Sequence, residues 1–305
     1  MPLKTVEKTF LAAPAARPET ISRGDIALFA AAHATPYVPG LATPSAKSPA
    51  ALRDASVGPY PWTEGYDFDL SGLLLNNRRL VDCGDVATNA NDPEGNRTGI
   101  NETTRAILQA GGIPVLLGGD DSVPIPFFDA FEGRGPLTLL QIDAHIDWRH
   151  ERDGQTLGFS SPMRRASEMA WFTGMVQVGM RGVGSARPAE FADAQKYGSH
   201  IVTAAEIHRH GVEAALEKIP SGTACLVTID FDAVDPAILP AVCAPAPGGL
   251  TFHQVLDILH GVAQKTRIVG ASLVELAPEK DPSGLSASTA ARIVANVIGA
   301  IARSA

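Results

Sequence analysis

Leu137-Thr138-Leu139-Leu140-Gln141-Ile142 runs directly into Asp143-Ala144-His145-Ile146-Asp147, and the reading of this stretch decides the fold. A short, mainly apolar run that ends in ionisable side chains is the pattern of a strand buried on both faces. Two further segments repeat it. Ile113-Pro114-Val115-Leu116-Leu117 leads into Gly118-Gly119-Asp120-Asp121-Ser122, and Ala224–Ile229 leads into Asp230-Phe231-Asp232. Other strand candidates are Ile26–Ala31, Arg79–Val81, Val176–Val178, Ile201–Val202 and Ile268–Leu276. Helical patterns lie between them. Thr251-Phe252-His253-Gln254 reads as a capping box ahead of Val255, Leu256, Leu259 and Val262. A last helix near Ser286–Ala302 places Ile293, Val294, Val297, Ile298 and Ile301 on one stripe. Strand–helix alternation predicts an α/β chain with a mainly parallel sheet and helices on both faces. Such sheets bind ligands beyond the carboxyl ends of their strands.

The 305 residues, 45% hydrophobic and 19% charged, exclude disorder as the dominant state. They read as a single unit over 1–305, with 1–24 and roughly 34–72 irregular. Ala34 to Pro49 carries four prolines and is expected to be loop. A formal charge of −8 argues against a nucleic-acid partner. The three cysteines show no C-x-x-C spacing, which favours a reducing compartment over a disulfide framework. No signal peptide is read at the N-terminus, and no stretch approaches the ~20 apolar residues of a membrane span. A cytoplasmic protein without membrane partners is expected.

In an extended segment residues i and i+2 point to one side. Asp143 and His145 therefore share a side, as do Asp230 and Asp232, and a turn after His145 brings Asp147 to the same point. Asp120, between a Gly pair and a helix start, reads as a turn residue. For the other five a structural role is a poor account, because ionisable groups at apolar strand ends repel and desolvate one another without a counter-charge. A divalent metal supplies one. Carboxylates with one imidazole suit Mn²⁺, with Ni²⁺, Fe²⁺ or Zn²⁺ as alternatives. More than four such ligands suggest two ions around one water.

These residues carry a resemblance. Asp143-Ala144-His145-Ile146-Asp147 resembles the D-A-H-x-D motif of the ureohydrolase family, which holds arginase and agmatinase. Asp230-Phe231-Asp232-Ala233-Val234-Asp235-Pro236 resembles its D-x-D-x-x-D-P motif, and Gly118-Gly119-Asp120-Asp121 its G-G-D-H. Gly248-Gly249-Leu250-Thr251 and Val274-Glu275-Leu276-Ala277-Pro278 match later landmarks in the family's order. The resemblance implies a three-layer α/β/α fold with an eight-stranded, mainly parallel sheet. It implies two divalent ions, Mn²⁺ first and Ni²⁺ as the alternative, and a hydroxide between them that attacks a guanidinium carbon and releases urea. By motif, Asp143 and Asp230 bridge the ions, His145 and Asp232 complete one, Asp147 completes the other, and Glu275 holds the guanidinium. Homo-oligomers, trimers or hexamers, are implied.

Two positions depart from the pattern. The family's fourth-place His is Asp121, an oxygen donor expected on the ion that also takes Asp147. Five aspartates against two divalent ions leave one net negative charge, and a more negative site acidifies its water less. Aligning Ser160-Ser161-Pro162-Met163-Arg164-Arg165 on the agmatinase-like H-G-x-P-x-R-R puts Phe159 at a His thought to carry protons to the leaving amine. His150 is the candidate substitute. Trp148 and Arg149 follow the metal motif and are read as contacts to an apolar or anionic substrate tail. Cys243 reads as a buried thiol. The expected activity is binuclear metal-dependent hydrolysis of a guanidino, amidino or biguanide-like compound. The alternative is a non-catalytic subunit supporting an active homologue.

Overall fold

In the computed structural model, which describes residues 3–183 and 186–304, alternation along each strand organises the core. On Ile26–Ala31, Ile26, Leu28 and Ala30 join one apolar cluster while Ala27, Phe29 and Ala31 join another. A strand covered in this way on both faces belongs to the centre of a three-layer fold. Met1, Pro2 and Ala305, the ends of the 1–305 unit read from the sequence, lie outside the described residues, as do 184 and 185.

The strands are β1 (Leu3–Lys4), β2 (Ile26–Ala31), β3 (Tyr66–Asp67), β4 (Gly72–Leu73), β5 (Leu80–Val86), β6 (Ile113–Gly118), β7 (Leu137–Ile142), β8 (Phe172–Met180), β9 (His200–Thr203), β10 (Ala224–Asp230) and β11 (Arg267–Val274). β3 and β4 form a separate hairpin, and the other nine make one sheet in the order β1-β5-β2-β6-β11-β10-β7-β8-β9. All neighbours are parallel except β1, which runs antiparallel on β5. The eight parallel strands are those read from the sequence. β1 is too short to show a periodicity. β5 runs five residues past the expected Val81, because Asp82 and Asp85 interrupt its apolar pattern. β11 stops at Val274, before the expected Leu276, because Glu275 takes a left-handed φ of 70°.

The helices are α1 (Ser48–Ser56), α2 (Pro93–Gln109), α3 (Pro124–Asp129), α4 (Pro162–Ala166), α5 (Pro188–Tyr197), α6 (Ala204–His210), α7 (Glu213–Leu216), α8 (Phe252–Lys265) and α9 (Leu285–Arg303). α1, α8 and α9 pack on one face of the sheet and α2 and α3 on the other. α8 opens with the capping box read from the sequence: Thr251 Oγ1 accepts the Gln254 N–H at 3.2 Å, and Gln254 Oε1 accepts the Thr251 N–H at 2.9 Å. α9 has 19 residues and is long and apolar enough to cross a membrane by length and composition, which the sequence reading had not allowed for. Ile293, Val294, Val297, Ile298 and Ile301 are all fully buried on it, so its apolar surface is the core of this layer.

The segment expected to be loop over 34–72 also holds α1. Pro49 sits in its first turn, where a missing N–H costs nothing, so this proline opens a helix. Buried Arg53 on α1 then ties the segment to the sheet. Its Nε and Nη2 donate to the two oxygens of Asp82 at 2.8 and 2.9 Å, and Nη1 to Asp85 Oδ1 at 2.6 Å. Removing one partner of a buried ion pair orphans the other, at about 3–5 kcal/mol. Arg53→Met is expected to lower stability by about that amount in urea unfolding. Adding Asp82→Asn should recover part of the loss, because the penalty lies in the orphaned charge.

Candidate metal centre

Four adjacent strands, β6, β11, β10 and β7, end at one level. Ile229 on β10 is in register with Ile142 on β7 and Leu273 on β11, and Leu273 with Leu117 on β6. The residues that follow therefore emerge side by side: Gly118 to Asp121, Asp143 to Asp147, Asp230 to Asp232, and Glu275. They meet at a cavity of about 360 Å³ lined by Asp121, His145, Asp147, Asp230, Asp232 and Glu275, with Arg149, Phe159 and Cys243 on its walls. A larger hollow of about 690 Å³ lies between β1, β5 and α2 and contains none of these acids. The chemistry therefore belongs to the smaller cavity.

Two groups of possible ligand atoms overlap here. Asp143, His145 and Asp232 form one, and Asp121, Asp143 and Asp147 the other, with the atoms of each within 4.8 Å of one another. Asp143 belongs to both. His145 Nδ1 lies 3.1 Å from Asp232 Oδ2 and 3.6 Å from Asp143 Oδ1. Asp230 stands outside both groups but lines the same cavity, and its Oδ1 accepts the Asp232 N–H at 2.7 Å. Asp147 reaches the site because the chain turns at its own φ of 49°. Glu275 is held from two sides: its N–H donates to Gly119 O at 2.8 Å, and its Oε1 accepts the Asp121 N–H at 2.7 Å. Gly119 has to be glycine, since a Cβ there would sit 2.0 Å from Ala32 O.

The acids pay for their crowding in proton affinity. Burial, then the Asp147 charge, pushes the Asp121 carboxyl well above the usual range. Burial and Asp143 do the same to Asp147, burial and Asp232 to Asp230, and burial followed by Asp232 raises Asp143. Burial, aided by the charge of Asp120, lifts Glu275 to about 8. For His145 burial opposes the charged ring, but Asp143 and Asp232 outweigh it and raise the imidazole to about 11. Asp121 Oδ2 is buried with no hydrogen-bond partner. A cation between the carboxylates would relieve all of these at once.

The flanking residues read from the sequence divide. Arg149 lines the cavity, with its Nε buried, unpartnered and 3.6 Å from Glu190 Oε1. Phe159 forms a wall, edge-on to Tyr37 with ring centroids 4.4 Å apart. Trp148 is corrected. Its indole is 2% exposed, is not among the residues lining the cavity and donates to Gln177 Oε1 at 2.8 Å, so it is a buried packing and hydrogen-bonding group rather than a cavity wall. His150 is corrected too, because it is exposed beside Arg165 and does not line the cavity. Cys243 is half-buried on the cavity wall, and burial with the nearby Glu275 charge pushes its thiol upward, which suits no nucleophile. Asp120 is the turn residue expected, its Oδ1 accepting the Ser122 N–H at 3.0 Å. Sequence reasoning passed over Gln141, whose Nε2 donates to Asp143 Oδ2 at 2.7 Å and to Asp147 Oδ2 at 2.8 Å. Its signal was an amide inside an apolar strand.

Comparison with known proteins places this geometry in a family. A profile of the arginase family matches residues 33–299. An agmatinase of Bacillus subtilis is 32% identical over 266 residues, covering 86% of each chain. A human mitochondrial guanidino acid hydrolase is 30% identical over 236 residues, covering 75% of this chain and 66% of that one. The solved structure of proclavaminate amidino hydrolase from Streptomyces clavuligerus superposes with a TM-score of 0.86 at 27% identity, covering 99% of both chains. With the match spanning every strand end that carries an acid, the chain belongs to the arginase family of ureohydrolases.

Proposed function

We propose that this chain is a binuclear metal-dependent hydrolase that cleaves a carbon–nitrogen bond of a guanidino or related amidino compound. The observation that carries the reading is the pair of overlapping groups of possible ligand atoms that share buried Asp143. Asp121, Asp143 and Asp147 would hold one divalent ion, and Asp143, His145 and Asp232 the other, with Asp230 as the second shared acid. Mn²⁺ is the proposed metal and Ni²⁺ the alternative, on the strength of an oxygen-rich donor set with one imidazole. Bound there, such ions supply the Lewis acidity that makes water nucleophilic near neutral pH. Glu275 turns its carboxylate to the same cavity and receives the guanidinium cation. Arg149 takes the substrate's tail where that tail is anionic, and Phe159 with Tyr37 excludes water from the wall. By family likeness the chain works as a homo-oligomer, a trimer or hexamer.

Phe159 favours a second reading. His145 is the only imidazole among the described residues lining the cavity, and it is committed to the acids. Among the described residues lining the cavity no second imidazole is left to protonate a leaving amine, and a non-catalytic subunit would need none. General acid assistance contributes about 10²–10⁴-fold, so its loss slows a hydrolysis without abolishing it. The enzyme reading expects turnover of substituted or conjugated guanidines and biguanides, whose nitrogen leaves easily. It expects weak turnover of agmatine and arginine. A panel assayed for urea or amine release with Mn²⁺ and Ni²⁺ in turn decides this. Activity that vanishes in Glu275→Ala supports the enzyme, and silence across the panel with metal-loaded protein supports the subunit.

Asp143→Ala is expected to lose both ions and all activity, since Asp143 belongs to both groups. Metal analysis showing two ions per chain in this variant would overturn the shared role given to Asp143. The raised carboxyls also set a pH dependence. A group whose folded value is raised adds stability below its ordinary value and loses it as pH rises through the folded one. For Glu275 that window runs from 4.5 to about 8. The metal-free protein should therefore lose thermal stability from pH 5 to pH 8. The gap between metal-loaded and chelated samples should widen over the same range in calorimetry.

A further inference from the structure

The central strands carry a row of polar side chains across their middle. Ser272 on β11, Thr228 on β10, Gln141 on β7 and Gln177 on β8 are register partners, and none is more than 2% exposed. Ser272 and Thr228 satisfy each other with one hydroxyl bond of 2.9 Å. The two glutamines lead elsewhere. The Trp148 indole N–H, which can only donate, reaches Gln177 Oε1 at 2.8 Å, and the Ser199 hydroxyl donates to the same oxygen at 2.8 Å. Gln177 is thereby fixed with its NH₂ inward, donating to Ile146 O at 2.9 Å and to Gln141 Oε1 at 2.5 Å. Gln141 in turn is left with its NH₂ facing Asp143 Oδ2 and Asp147 Oδ2, at 2.7 and 2.8 Å. Flipping either amide would set donor against donor. The polarity of the chain is set at Trp148 and delivered at the two acids.

We propose that Trp148, Gln177 and Gln141 form a buried relay that orients Asp143 and Asp147 to receive metal. Gln141 is then a positioning residue and Trp148 its anchor. A bare apolar side chain would fill the position of Gln141 without burying an amide. What the amide adds is a fork of two N–H donors without charge. It holds two repelling carboxylates at a set spacing in a centre that Asp121 has made more negative. Each carboxylate oxygen keeps a second lone pair for a cation. Partners of this kind behind metal ligands fix ligand orientation, and their loss costs about 10–100-fold in metal affinity.

The inference rests on the metal-centre reading above, and one titration separates the two. Wild type, Gln141→Met, Trp148→Phe and the double variant are dialysed at graded free Mn²⁺. Bound metal is then counted, and the signature of a coupled ion pair is followed by electron paramagnetic resonance. Gln141→Met should weaken the ion held by Asp121, Asp143 and Asp147 by about 10–100-fold, with loss of the coupled signal and the other ion retained. Trp148→Phe keeps the ring and removes the N–H, and should weaken the same ion by less. The double variant should bind no worse than Gln141→Met alone, because Trp148 acts only through Gln141. Additive losses would assign Trp148 to packing and overturn the relay, as would a Gln141→Met protein that binds both ions as tightly as wild type. If Gln141→Met does not fold, Trp148→Phe decides alone, and unchanged affinity in it overturns the relay. A wild type that binds no metal removes the metal-centre reading and the relay together.

Discussion

Carboxylates that are buried side by side must find a counter-charge or keep their protons, and this site is built around that constraint. Moving an ionised carboxylate out of water costs several kcal/mol even after relaxation, and a like charge beside it adds to the cost. Here Asp121, Asp147, Asp230, Asp232 and Glu275 are buried along one cavity, and Asp143 is buried among them. The crowding follows from the sheet. Strands β6, β11, β10 and β7 are neighbours and end in register, so whatever follows their last apolar residue is brought together. Parallel pairing covered on both faces leaves the strand ends as the place where acids can gather.

Much of this was legible in the sequence for a plain reason. Strands buried on both faces are nearly unbroken apolar runs, and their ends are marked by the first ionisable residue. Ile26–Ala31 and Leu137–Ile142 were read to the residue. The i, i+2 spacing put Asp143 with His145 and Asp230 with Asp232, and the structure brings them together. What stayed hidden depends on groups distant in sequence. Asp82 looks like the end of a strand until Arg53, on a helix masked by prolines, neutralises it. Trp148 follows the metal motif and looks like a substrate contact, because nothing local shows that its ring turns toward Gln177, 29 residues away. His150 shares that loop but points to Arg165.

The same alternation that makes the strands readable also hides their polar members. Gln141 lies two residues before Asp143, so it shares that residue's side of the sheet and sits directly beneath the acids. Gln177 is its register partner on β8, and pairing across a sheet is not written in either strand alone. A buried amide in such a row is tolerated only when every donor and acceptor finds a partner. Here the partners run from an indole at one end to two carboxylates at the other. The core thus specifies more than packing, because it sets the orientation in which two of the acids face the cavity.

The two departures from the family pattern bear on two different steps of the proposed reaction. An aspartate at 121 in place of an imidazole leaves the centre more negative, which strengthens its hold on cations and weakens the acidity of any water bound there. A phenylalanine at 159, where the family resemblance implies a proton-carrying His, lines the cavity with a ring that Tyr37 backs edge-on. On the reading proposed above, the first change would slow formation of the nucleophile and the second departure of the amine. Glu275 itself is kept: its left-handed backbone is held by Gly119 O, and its carboxylate accepts the Asp121 N–H, a bond that needs no particular side chain at 121. Under that reading, recognition of a cation would be retained while help for the reaction is reduced. A substrate suited to this centre brings part of the reactivity itself, as a guanidine carbon joined to a nitrogen that needs little protonation to leave.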